Sequence, residues 1–373
     1  MKIVIDDKIP FLEGILENYF EVVYKPGKFI CRTDLQDADA LLVRTRTQCN
    51  GLLLNGTPVK CIATATIGHD HIDAAYCKKA GIKWSNAPGC NAWAVQQYVI
   101  ASILEMAQKY SMSLNNLTLG IVGAGHVGSK IAETALALGL NVLVNDPPRA
   151  LKEGGDFVSL ETIQAESDFI SFHVPLTLEG DYKTIQMVDD HFFARLKKMP
   201  IIINSSRGEV MSGDALKRAL ISRVIRGAVV DVWENEPTVD VELLRMVDIA
   251  TPHIAGYSVE GKAKGTAYAV QALSRHFGLG IDNWYPSSVP SPRNSIIEPK
   301  NNVPHKTILE AVRSTYRVMI DDNGLRSNPR NFEKLRTDYN FRNEFSSFQV
   351  DGSNLDAKLV KRFQKVGFIV TGY

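Results

Sequence analysis

Glu236, in Asp231-Val-Trp-Glu-Asn-Glu236-Pro237, and His253, in Thr251-Pro-His253-Ile-Ala-Gly-Tyr257, lie 17 residues apart, and each follows an apolar run that reads as a buried strand. A carboxylate beside an imidazole is a proton-moving couple: it orients the ring through one nitrogen and supports the charge that the ring takes up with a proton at the other. Arg207, in Asn204-Ser-Ser-Arg207-Gly208, follows a third such run. Its planar guanidinium suits a substrate carboxylate gripped by two parallel hydrogen bonds. Taken singly, each residue has a plainer reading: a satisfied core histidine, a strand-end ion pair, a surface charge beside Pro237. Together they fit oxidation of a secondary alcohol next to a carboxylate, in which hydride leaves the carbon and the hydroxyl proton passes to a base tuned near neutral pH.

Such a reaction needs a hydride acceptor. Gly120-Ile-Val-Gly123-Ala-Gly125-His126-Val127-Gly128 contains G-x-G-x-x-G directly after an apolar strand and before a good helix-forming stretch. Glycines there permit a tight turn and close backbone approach, so that the helix N-terminus holds a pyrophosphate. Asp146 ends the next strand, 18 residues past Gly128, where a carboxylate grips the adenosine ribose hydroxyls. That carboxylate would repel a 2′-phosphate and favours NAD over NADP. Arg149 is close enough to weaken the preference, or is a solvated loop charge.

These residues must be positioned by strands. Leu119–Gly123, Asn141–Asn145, Phe169–Phe172, Ile201–Asn204, Ala228–Asp231 and Val247–Ala250 alternate with helical segments, and strands so apolar belong to a parallel sheet covered on both faces. A long helix over about Ala94–Lys109 precedes them. Met1–Asp6, Ala40–Arg44 and Lys60–Thr64, with segments of helical length such as Ile9–Tyr19 between, predict a second, smaller α/β unit. Five prolines at 286, 290, 292, 299 and 304 mark a linker or wrapping arm over 285–304. Beyond it, Ile308, Leu309, Val312, Tyr316 and Met319 predict an amphipathic helix, followed by a strand near Ser347–Val350, a helix near Leu355–Val366 and a strand at Phe368–Val370. A module this small often leans on a partner.

At 373 residues, with 45% hydrophobic and 22% charged, the chain has room for two or three domains. A net charge of +1 offers no field for nucleic acid. No apolar run reaches the roughly 18 residues that span a bilayer, and Asp6 and Asp7 interrupt any signal peptide, so no membrane partner and a cytoplasmic location are expected. Five cysteines without a C-x-x-C pair read as reduced, mostly buried residues. His69-Asp-His71-Ile-Asp73 tempts a metal reading, but two histidines at i, i+2 without a distant third ligand make a poor site; Asp73 as the cap of a helix over Ala74–Lys79 fits better, and no metal is expected.

Gly123-Ala-Gly-His-Val-Gly128, Asn204-Ser-Ser-Arg-Gly208, Asp231-Val-Trp-Glu-Asn-Glu-Pro237 and His253-Ile-Ala-Gly256, in that order, resemble the D-isomer-specific 2-hydroxyacid dehydrogenases over roughly residues 1–280. Val43-Arg-Thr-Arg-Thr47, Ala63–Asp73, Ala87–Ala92, Asp146-Pro-Pro-Arg149 and His253–Gly265, with the extra C-terminal module, are similar to the branch that oxidises 4-phospho-D-erythronate. The resemblance implies a Rossmann-type doubly wound parallel sheet binding NAD at 95–253, inserted into a flavodoxin-like α/β substrate domain of 1–94 and 254–284. Residues 285–373 would form a small C-terminal α/β dimerisation module, giving a homodimer. It implies oxidation to (R)-3-hydroxy-2-oxo-4-phosphobutanoate on the route to pyridoxal 5′-phosphate. It also carries Arg207, Glu236 and His253 over as active-site residues.

Cofactor contacts implied in the same way are Gly123, Gly125, His126, Val127, Gly128, Asp146, Ser205, Ser206, Asp231 and Gly256, with Val174 where the family has threonine. Substrate contacts implied are Thr45, in place of the family's serine, Thr66 and Tyr257. The substrate phosphate is open: Arg44 and Arg46 are the nearest positive charges in sequence, and Arg342 is a further candidate. Competing readings are a 3-phosphoglycerate or other 2-hydroxyacid dehydrogenase, and a nicotinamide-sensing regulator with little turnover.

Overall fold

The computed structural model describes residues 1–300 and 303–373. The chain forms two compact units, Met1–Asn91 with Ser258–Pro290, and Ala92–Tyr257 with Ser291–Tyr373.

In the first unit, β1 (Lys2–Asp6), β2 (Glu21–Lys25), β3 (Ala40–Val43), β4 (Cys61–Thr64) and β5 (Lys83–Ser85) form a wholly parallel sheet in the order β2-β1-β3-β4-β5. This is the flavodoxin-type order. The strands are apolar because alternate residues serve both faces: Val4, Leu41, Val43 and Ile62 enter one core, and Ile3, Ile5, Ala40, Leu42 and Ala63 the other. The helix Val259–Phe277 packs on the second face through Ala269, Val270 and Leu273. Asp73 caps the helix Ala74–Ala80 by accepting from Tyr76 N at 2.8 Å. The segment Ile9–Tyr19 is a chain of turns, unlike the helix its spacing predicts. Phe11 and Gly14 adopt left-handed backbone (φ 63° and 81°) beside Pro10, which breaks the helix while Ile9, Leu12 and Leu16 still reach the core.

In the second unit, β6 (Thr118–Val122), β7 (Asn141–Asn145), β8 (Phe169–Phe172), β9 (Ile201–Asn204), β10 (Gly227–Val230) and β11 (Ile249–Ala250) form a parallel sheet in the order β11-β10-β9-β8-β6-β7. Phe157 adds a single parallel bridge outside β7, completing the Rossmann arrangement. The strand order reverses between β6 and β8, and a crevice beyond the strands' carboxyl ends opens at such a reversal. The helix Ala92–Lys109 buries Tyr98, Val99, Ile103 and Met106 in the core on one face of this sheet.

The C-terminal segment belongs to this second unit. β12 (Ile296–Ile297), β13 (Gln349–Asp351) and β14 (Ile369–Thr371) make a small parallel sheet. Thus the proline-rich stretch contributes one short strand; its residues 301–302 lie outside the described residues. The helix Ala357–Val366, capped by Asp356, buries Leu359, Val360, Phe363 and Val366 and packs on the helix His126–Leu138. The amphipathic helix expected across Ile308 to Met319 is two helices, Pro304–Thr315 and Val318–Ser327. Ser314 and Thr315 turn their hydroxyls back onto the carbonyls of Ala311 and Val312, and extended Tyr316 enters the core between the helices.

No helix among the described residues is long and apolar enough to cross a membrane. All five cysteines are free thiols; Cys31 is exposed and the other four are buried.

Candidate active site

The chain leaves β6 at Val122 and turns at Gly123, whose φ of 90° suits glycine and whose missing side chain would strike the His173 carbonyl. Gly125 precedes the helix His126–Leu138, and a side chain at Gly128 would overlap the Gly123 carbonyl. Val127, in the first turn of this helix, packs against the core, and Val174, just after β8, borders Gly123. Asp146 follows β7 and ties the loop down: Oδ2 accepts from Ala124 N at 2.8 Å and Oδ1 from Arg149 N at 3.1 Å. Arg149 donates to Ala124 O and pairs with Glu153 at 2.6 Å, so its charge is matched locally.

Beyond β9, Asn204 builds the next turn by donating to Arg207 O at 3.0 Å and accepting from Ser206 Oγ at 2.8 Å. Arg207 emerges half-buried, with Nη1 donating to Ser206 O at 2.8 Å. The buried hydroxyl of Ser205 donates to no described group, a free donor beside the glycine-loop end of the sheet. That donor, the backbone cradle at Gly123 and Gly128, and the tethered Asp146 carboxylate fit a dinucleotide.

Asp231 follows β10 and is 1% exposed. Its carboxylate accepts from Thr251 Oγ1 (2.6 Å), Ile254 N (2.8 Å) and Ala255 N (2.9 Å), and its own carbonyl accepts from His253 N at 2.7 Å. It therefore holds the loop after β11 in place, and His253 takes up a left-handed backbone there (φ 56°). The Glu236 side chain is fixed at both oxygens: Oε1 accepts from Trp233 N at 2.9 Å, and Oε2 lies 2.7 Å from His253 Nδ1. Burial pushes the Glu236 carboxyl up, but the His253 hydrogen bond and charge, the Trp233 amide and the Arg336 charge outweigh it and hold the group below the usual carboxylate range.

The C-terminal segment completes this loop. Arg342, which the sequence offers as a phosphate contact, is 8% exposed and donates to the carbonyls of Ile254 (3.1 Å), Ala255 (2.6 Å) and Ala94 (3.0 Å) and to Gln97 Oε1 (2.9 Å). Its donors are spent on these carbonyls and on the Gln97 and Tyr339 side chains, so that reading is corrected: Arg342 is a structural staple. Asp322 accepts from Ala250 N at 2.7 Å, and the rings of Tyr339 and Phe341 pack on Tyr257, each 5.8 Å between centroids, beside half-buried Gly256. Nothing local in the sequence announces these contacts, which join residues more than 70 positions apart.

In the first unit, Thr45 is exposed just past β3, and Thr66, past β4, shares a 2.8 Å hydrogen bond with Thr64 and donates to Gly68 O. Arg44 is committed to a fully buried carboxylate, with Nε and Nη2 at 3.1 and 3.2 Å from the two Asp6 oxygens. Through Nε and Nη2 it balances the Asp6 charge. His69 stacks on Trp84 at 5.1 Å.

The model of the D-isomer specific 2-hydroxyacid dehydrogenase NAD binding domain matches residues 91–255, and that of a domain of unknown function matches 288–367. The chain is 48% identical over 354 residues to an erythronate-4-phosphate dehydrogenase of Bacteroides thetaiotaomicron, covering 94% of this chain and 99% of the relative. It is 41% identical over 372 residues to the enzyme of that name from Escherichia coli, covering 99% and 98%. Among solved structures, a D-lactate dehydrogenase from Aquifex aeolicus complexed with NAD and lactic acid is 28% identical with a TM-score of 0.61, covering 78% of this chain and 100% of that one. An NAD-bound 3-phosphoglycerate dehydrogenase from Entamoeba histolytica is 26% identical with a TM-score of 0.63, covering 78% and 99%. The cofactor is NAD. With identity of this order along nearly its whole length, the chain belongs to the erythronate-4-phosphate dehydrogenase family of D-isomer specific 2-hydroxyacid dehydrogenases.

Proposed function

We propose that this protein oxidises 4-phospho-D-erythronate to (R)-3-hydroxy-2-oxo-4-phosphobutanoate, a step toward pyridoxal 5′-phosphate. The observation that carries the reading is the Glu236–His253 couple, 2.7 Å apart, in a chain so similar to relatives named for that substrate. The chemistry NAD supplies when bound is hydride acceptance. Glu236 fixes the imidazole through Nδ1, which leaves Nε2 of His253 to take the C2 hydroxyl proton. Arg207 anchors the C1 carboxylate, and its charge favours the polarised C2 oxygen. Asp146 receives the adenosine ribose, and the pairing of Arg149 with Glu153 leaves the preference for NAD undiluted. Thr45, Thr66 and Tyr257 are the remaining substrate contacts in this reading.

A homodimer and a cytoplasmic location belong to the same proposal. The edge strands β12 and β14 expose Ile296 and Ile369, apolar positions suited to a second copy. Five cysteines that form no disulfide match a reducing compartment. The test mixes purified protein with 4-phosphoerythronate and either NAD or NAD plus a 2-oxo acid, and follows the oxidised product. Turnover of 3-phosphoglycerate without turnover of 4-phosphoerythronate overturns the substrate assignment, and light scattering checks the dimer.

A further inference from the structure

The helix Phe332–Thr337 carries one side chain to the proton couple. Arg336 Nη1 lies 3.9 Å from Glu236 Oε2 and 3.7 Å from Glu333 Oε1, and its side chain is only 15% exposed. The helix is anchored by Phe332, fully buried in the core beneath the nucleotide-binding sheet, with the guanidinium 5.8 Å from its ring. Arg336 Nε is buried and donates to no described group, so the guanidinium engages its surroundings as a charge more than through directed hydrogen bonds.

Glu236 Oε2 thus faces two cations of different character. His253, at 2.7 Å, is charged only while it carries the proton that the reaction moves. Arg336 is charged throughout, because guanidinium does not titrate in proteins. A buried carboxylate that served only the histidine would lose its counter-charge at the moment the ring must be neutral and ready to accept a proton, and burial would then favour protonating the carboxylate itself. A protonated Glu236 would no longer accept from Nδ1–H, and the ring would be free to turn.

We propose that Arg336 is a positioning residue for the reaction: its permanent charge keeps Glu236 ionised and Oε2 aligned on His253 Nδ1 through both protonation states of the ring. The proposal rests on Glu236 and His253 being the proton couple. Arg336 acts through Glu236 and does not touch the substrate. Among the described residues the carboxylates within 4.0 Å of it are those of Glu236 and Glu333, at 3.9 and 3.7 Å, and the Trp233 amide and His253 are the other partners of the Glu236 carboxylate. The segment that supplies Arg336 is therefore part of the catalytic apparatus as well as of the core.

Steady-state kinetics of the full-length protein with Arg336→Gln, which keeps the bulk, and Arg336→Lys, which keeps the charge, provide the test, with thermal unfolding recorded for each. Arg336→Gln is expected to lower kcat about tenfold while KM for 4-phosphoerythronate changes by less than about twofold, and Arg336→Lys is expected to recover most of kcat. An unchanged kcat in a folded Arg336→Gln overturns the proposal. So does a large rise in KM with kcat intact, which would make Arg336 an anchor for the substrate phosphate, and so does a kcat loss in Arg336→Lys equal to that of Arg336→Gln. A wild type inactive on 4-phosphoerythronate defeats the functional reading instead, and the same kcat comparison is then read on the 2-hydroxy acid that the wild type oxidises.

Discussion

His253 Nδ1 and Glu236 Oε2 are 2.7 Å apart, and the same carboxylate is pinned through Oε1 to the backbone amide of Trp233. The ring therefore has one nitrogen fixed and one to spare. Replacing His253 by Ala should lower kcat by about 10² to 10⁴, the usual worth of general acid–base assistance, with NAD binding retained. A His253→Ala protein that keeps most of its activity would show that the proton leaves by another route.

Glu236 also ties activity-site chemistry to stability. Its carboxyl lies below the usual range in the folded protein, so its contribution is complete above the unfolded value near 4.5 and is lost as pH falls through the lower folded value. The stability difference between wild type and Glu236→Gln should shrink as pH drops below about 5, read from midpoints in denaturant. A difference that grows as pH falls below about 5 contradicts this account.

Asp231 takes three donors from Thr251, Ile254 and Ala255 while almost fully buried. Asp231→Ala leaves those donors unpaired and should cost about 2 to 4 kcal/mol. Urea unfolding measures it, and a loss under about 0.5 kcal/mol would mean that the loop finds other acceptors.

Asp146 stands where the ribose is expected, and Arg149 is occupied by Glu153. The double change Asp146→Ser with Glu153→Gln removes the repelling carboxylate and releases the arginine. The ratio of kcat/KM for NADP over NAD should rise by about tenfold or more, since each 1.4 kcal/mol is a factor of ten. An unaltered ratio would place cofactor selection elsewhere.

Much of this site could be read from the sequence because its parts are local. The glycine turn needs only nine consecutive residues, and Arg207, Glu236 and His253 each sit just past an apolar strand, so a parallel sheet brings them to one edge. The flavodoxin-type unit was legible for the same reason, through strands apolar on both faces. Arg336, Arg342 and Asp322 were not, because a charged residue in a C-terminal segment looks the same whether it faces water or a catalytic loop. The pairing of Arg44 with the buried Asp6 was equally hidden, because its partner lies 38 positions away on a different strand. At Ile9–Tyr19 the apolar spacing was real but Pro10, Phe11 and Gly14 gave it turns instead of a helix.

The staple formed by Arg342 also has a meaning in time. It meets the Ile254 carbonyl across 88 positions of chain and the Ala255 carbonyl across 87. During synthesis the histidine loop emerges long before the residue that fastens it, so the proton couple is held in place only after the C-terminal segment has been made. Competence to turn over substrate arrives late, as a property of the finished polypeptide.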